Sequence, residues 1–188
     1  MRSALVVLTL AVLAALLPAP AHAATRTYTL RSGPTHMGGF NVKFPKAPVR
    51  APKVNGYVVG MTVDLVDARG RPITIRDVML HHVVFHRRAR LGERGPCTSP
   101  YSEPIYGTGE EKQDLRLPAG YGYRIRRSDR WRVTAMLMSH SIRPKTAYIR
   151  YRVKVVTGKR LTPVRPFWLR ANGCGKQVSY PVPGGIFT

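Results

Sequence analysis

The sequence predicts an all-β domain, an antiparallel sandwich or barrel, and three observations carry that prediction. Proline and glycine punctuate the chain densely, at Gly33-Pro34, Pro45, Pro48, Pro52, Gly70, Pro72, Gly95-Pro96, Pro104, Gly107 and on to Pro144. The runs between them are short and rich in Val, Ile, Tyr and Thr, as strands bounded by turns require. Two runs alternate apolar and polar residues, which puts one face in a core and the other in water. No segment shows a convincing helical period, and there is no internal repeat. At 188 residues the chain is sized for one domain.

Taken in order, the first element lies outside the fold. Arg2, the apolar stretch SALVVLTLAVLAALL and the A-x-A site Ala21-His22-Ala23 read as a secretory signal peptide over 1–23, with a mature chain from Ala24. The apolar stretch is short of the roughly 20 residues that cross a bilayer. No later segment reaches that length, so the expectation is a soluble, secreted domain without a membrane span. Residues 24–183 form the expected domain. NGYVVGMTVDLVDARG, 55–70, reads as a strand running into a turn at Asp67 to Gly70. VMLHHVVFH, 78–86, reads as a strand because Val and Phe favour one. WRVTAMLMSH, 131–140, is the cleanest strand: Trp131, Val133, Ala135 and Leu137 share one face, and Arg132, Thr134, Met136, Met138 and His140 the other. AYIRYRVKVV follows, with Ile149, Tyr151, Val153 and Val155 on its dry side. SIRPKT between these two reads as a hairpin loop. The final VPGGIFT reads as a linker start rather than the end of a fold, with 184–188 a linker start or truncated end.

Export shapes the reading of the cysteines. Cys97 and Cys174 are the only pair, and in an oxidising compartment an even count predicts a disulfide. The bridge would close a loop of about 78 residues, for which chain entropy gives about 4–5 kcal/mol before strain. Charge is extreme: 31 Lys and Arg against 9 Asp and Glu, a net +22. Such a field attracts nucleic acid, anionic lipid or acidic polymers. Its cations are spread over alternating positions of strand-like runs, the pattern of a solvated face. An exported protein rarely meets DNA, so an anionic cell-envelope polymer is the expected partner and nucleic acid is not.

The candidate chemistry lies in VMLHHVVFH. In a regular strand His82 and His86 share a face but lie about 13 Å apart, too far to share one ion. His81 and His82 point to opposite faces of an ideal strand, and meet on one metal if the strand twists or bulges, or if the ring nitrogen nearest the backbone is the ligand. A third ligand must come from elsewhere, and His140, ending a strong strand beside a loop, is the best placed. His36, in GPTHMGG, reads as a turn residue. Three imidazoles without a carboxylate suit copper or zinc. The competing reading is a partly buried pair satisfied by hydrogen bonds.

In this order DVMLHHVVFH, a Pro/Gly loop, LPAGYGYRI, MLMSH and YIRYRV resemble the amino-terminal half of the copper type II, ascorbate-dependent monooxygenases, the peptidylglycine α-hydroxylating monooxygenase-like family. The resemblance spans 73–185 and is strongest over 77–86 and 117–153. It implies a nine-stranded, jelly-roll-like β-sandwich. It also implies one copper ion held by His81, His82 and His140, which stores an electron from ascorbate or another reductant and passes it on. His86 falls outside the pattern. The chain departs from the family in two respects. The family's catalytic copper sits in a second sandwich domain, on a His-x-His pair and a methionine, and no His-x-His occurs here. A second copper domain would have to come from a separate or downstream chain, and this chain alone is not expected to hydroxylate. The family's cysteine after the histidine pair is replaced by Phe85-His86-Arg87, so its disulfide pattern does not transfer.

Three function classes follow. The first is a secreted copper-binding, monooxygenase-like domain. The second is a metal-free cationic sandwich that binds anionic envelope polymers. The third is a zinc hydrolase, which needs a carboxylate base; Asp77 is the only acid near the histidines in sequence.

Overall fold

The computed structural model describes residues 23–89 and 103–166. The expected signal peptide, Cys97, Cys174 and the 184–188 segment lie outside those residues, apart from Ala23. Twelve strands run in chain order: β1 Ala24–Arg31, β2 Thr35–Met37, β3 Val42–Lys43, β4 Lys46–Val49, β5 Gly56–Val66, β6 Val78–Arg87, β7 Glu103–Gly109, β8 Leu115–Arg116, β9 Tyr121–Ile125, β10 Trp131–Ser139, β11 Lys145–Thr157 and β12 Thr162–Val164. The all-β prediction holds, and no helix occurs among the described residues. The count exceeds the nine strands that the family resemblance implies, because short edge pieces such as β3 and β8 pair separately.

The strands form two sheets. The larger runs β1-β11-β5-β9-β12, with β2 on β11 and β8 on β5; the smaller runs β3-β10-β6-β7, with β4 on β10. All pairings are antiparallel except the terminal β9–β12 pair. The alternation read from sequence sets the core. Trp131, Val133, Ala135 and Leu137 of β10 are buried, as are Ile149, Tyr151, Val153 and Val155 of β11. These two inner faces meet, and Phe85 of β6 bridges them, its ring 4.9 Å from that of Tyr151.

Two local expectations are corrected. SIRPKT is not a hairpin loop. β10 and β11 belong to different sheets, so the segment carries the chain across the sandwich. Both strands bury one full face, and stacking those faces removes more apolar surface than pairing the strands side by side. His36 is not a turn residue. It lies in β2, pairs with Thr146 of β11, and its Nδ1 is 3.1 Å from the Thr146 hydroxyl. The turn after β5 is as predicted: Asp67 Oδ1 accepts from the Arg69 and Arg71 amides, and Gly70 takes a left-handed φ of 83°.

Candidate metal centre

β6 is the centre of the smaller sheet's exposed face, and its histidines are displayed by a break in its regularity. Val78 and Leu80 point inward, as do Val83, Phe85 and Arg87. The parity changes between Leu80 and Val83, so both His81 and His82 point outward. The cause is a β-bulge. Leu137 pairs with Leu80 and Met136 with His82, which leaves His81 without a partner on β10. A regular strand would have carried His82 into the core behind Leu80.

The two imidazoles consequently lie side by side, with ring centroids 5.5 Å apart and planes at 83°. Two imidazoles on one ion, with bonds of about 2 Å, have centroids roughly 5 Å apart. His82 is exposed, and the His81 side chain is 42% exposed. Neither ring is locked by a core contact, so both can turn toward a ligand.

The opposite wall of this site is the turn after β7. Gly109 pairs with His82. A Cβ at Gly109 would come within 2.8 Å of a Glu111 carboxylate oxygen and 3.2 Å of the bulged His81 carbonyl, so glycine allows this close approach. The Lys112 amide donates to the Gly109 carbonyl at 3.0 Å, and Lys112 itself takes a left-handed φ of 48°. Below the turn, the Tyr106 hydroxyl donates to the Gln113 carbonyl at 2.7 Å. Burial pushes that phenol up to about 12. The turn presents Glu110, whose Oε1 is 4.0 Å from His81 Nε2. On the other flank Met136, half-buried, faces His82 across the strand pair.

His140 is placed elsewhere. It follows the end of β10, where Ser139 pairs with Val78, and its amide donates to the Asp77 carbonyl. Four residues separate it from Met136, about 13 Å along a strand. Its Nδ1 is 3.0 Å from the Ile75 carbonyl, which makes that nitrogen the donor. Asp77 is engaged by Lys145 at 3.1 Å. Thus His81 and His82 are brought together, while His140 lies at the far end of the same face. Among the described residues, no three His, Cys, Asp or Glu side chains already converge on one point.

His86 points outward beside Thr134, with Nε2 3.1 Å from its hydroxyl. Burial, and then the nearby Lys46 and Arg132, hold its pKa below the ordinary histidine value.

Sequence reasoning missed Glu110 and Met136 as neighbours of the pair. Glu110-Glu111 is the only adjacent acidic pair in a chain with nine acids, and that was a usable signal. The facing of Met136 depends on the bulge and left no trace in the sequence. Comparison with known protein families, with characterised proteins and with solved structures gave no match. Among the described residues no helix is long and apolar enough to cross a membrane.

Proposed function

We propose that this is an exported domain that binds one copper ion on the outer face of its smaller sheet, through His81 and His82. The observation that carries the reading is the bulge opposite Met136, which puts two imidazoles side by side on an open surface. Copper is favoured over zinc by Met136, since a thioether is a soft donor suited to Cu(I) while imidazole suits either metal. An ion with both imidazole and thioether neighbours can be held in two oxidation states, which fits electron storage and transfer with ascorbate or another reductant. Hydroxylation would require a second copper domain. The third ligand is Glu110 by distance and His140 by family resemblance. Glu110 needs only a side-chain rotation, whereas His140 needs the end of β10 to move.

The test is copper titration of the purified chain, read by electron spin resonance and by a competing chelator. One equivalent should bind with nitrogen coordination. His81→Ala and His82→Ala should each weaken binding by at least about tenfold, and His86→Ala by less than about twofold. Glu110→Gln and His140→Ala then decide the third ligand. Affinity should fall on acidification, because protons compete with the metal for the imidazole nitrogens. Unchanged binding in His82→Ala would overturn the proposal.

A further inference from the structure

The outer face of the larger sheet carries a second feature, on the far side of the core from the histidines. β5 and β11 also change register, between Lys154 and Val155, where Gly60 and Val58 are the partners and Val59 is skipped. Beside this break an open cleft of about 980 Å³ is lined by β1, β5, β11 and the segment from Asp114 to Tyr121. Four cations line it: Arg116, Arg152, Lys154 and Lys159. Lys154 and Lys159 are exposed and have no acidic partner among the described residues. Arg152 reaches Asp64 at 3.4 Å, but Arg150 already engages that carboxylate through two bonds of 2.8 and 2.6 Å. The one acid of the lining, Asp114, is 3.2 Å from Arg116.

The rest of the wall is largely apolar, with Val59, Leu117, Pro118 and Leu161 in its lining, and it is set with a few polar groups. Thr25 and Thr27 present hydroxyls from the edge strand β1, and Tyr121 is a 45% exposed ring at the rim. The Thr62 hydroxyl, also in the lining, is buried without a protein partner. Hydroxyls, one carboxylate, one flat ring and unpaired ammonium groups together match a sugar chain that bears carboxylates. The ring stacks on a sugar face, Asp114 and the threonines take sugar hydroxyls, and Lys154 and Lys159 take the acids. A nucleic-acid duplex, with one charge per about 1.7 Å of its axis, would instead call for a longer run of free cations than Lys154 and Lys159 supply.

We propose that this cleft binds a linear acidic polysaccharide. The inference is independent of the copper reading. The test is titration of the purified chain with polygalacturonate at low salt, beside neutral dextran and a DNA duplex. Lys154→Glu with Lys159→Glu should weaken polygalacturonate binding by about tenfold. Arg76→Glu with Arg143→Glu makes the same charge change at exposed positions outside the cleft, and should weaken it by no more than about twofold. Tyr121→Ala should weaken binding without changing its salt dependence, and His82→Ala should leave it unchanged. Equal losses in the two double variants would overturn the proposal in favour of diffuse charge. Tighter binding of DNA with the same dependence on Lys154 and Lys159 would make the occupant a nucleic acid.

Discussion

At the scale of single residues, three histidines of one strand have two different environments. His81 and His82 stand on the open surface at the bulge, whereas His86 is half-buried between Thr134, Lys46 and Arg132. Burial comes first among the causes that lower the His86 pKa, with the two cations adding to it. The unfolded chain therefore takes up a proton at His86 at a higher pH than the folded chain does. Its neutral form contributes fully above about pH 6.5, and that contribution is lost as pH falls below this value toward the lower folded pKa. Thermal unfolding should show the melting temperature declining between about pH 7 and pH 5. His86→Gln should flatten that decline, and an unchanged slope would assign it to other groups. The sequence could name the histidines, and could state that a twist or bulge was one way for His81 and His82 to meet. It could not supply the bulge, because the skipped residue is defined against β10, some fifty residues away in the chain. Glu110 and Met136 escaped for the same reason: a cross-strand neighbour is a property of register.

At the scale of elements, the two sheets are joined by more than apolar packing. Arg87, the last residue of β6, points inward and is 2% exposed. It pairs with Glu103 at the start of β7, and its Nε donates to the Tyr123 hydroxyl at 2.6 Å. Tyr123 belongs to β9 in the other sheet, so one guanidinium links both layers. Burial, with the Glu103 charge, pushes the Tyr123 phenol well above its ordinary value and keeps it neutral. Removing the carboxylate takes a charge partner away from a buried guanidinium, which costs more than the pair contributes. Glu103→Ala should destabilise the fold by about 3 kcal/mol in urea denaturation, and a loss below about 1 kcal/mol would show that other partners of Arg87 suffice. Strand alternation was legible here, since β5, β6, β10 and β11 all lie where period and punctuation put them. Sheet membership was not. A six-residue connection such as SIRPKT looks the same whether it turns back along one sheet or crosses to the next, and the choice follows from which apolar faces stack.

At the scale of the whole molecule, charge is the term that the fold leaves unbalanced. The chain carries 31 cationic side chains against 9 acidic ones, and several of the acids are already occupied. Asp64 holds Arg150, Asp67 holds Arg71, Asp77 holds Lys145 and Asp114 holds Arg116. The remaining cations repel one another, and more strongly in the compact state than in an expanded unfolded chain. Salt acts on both terms. It weakens the exposed pairs, each worth about 0–1 kcal/mol, and it screens the excess of like charge, as the Debye length falls from about 30 Å at 0.01 M to about 8 Å at 0.15 M. With few such pairs among the described residues set against a net charge of +22, screening of the repulsion is the larger effect. Raising sodium chloride from 10 to 300 mM at pH 7 should therefore raise the melting temperature, by about 3–5 °C for a gain near 1–2 kcal/mol. Scanning calorimetry across that range checks this directly. A melting temperature that falls with salt would mean that the ion pairs outweigh the repulsion, and that the cations are arranged in compensated networks rather than left as an open positive field.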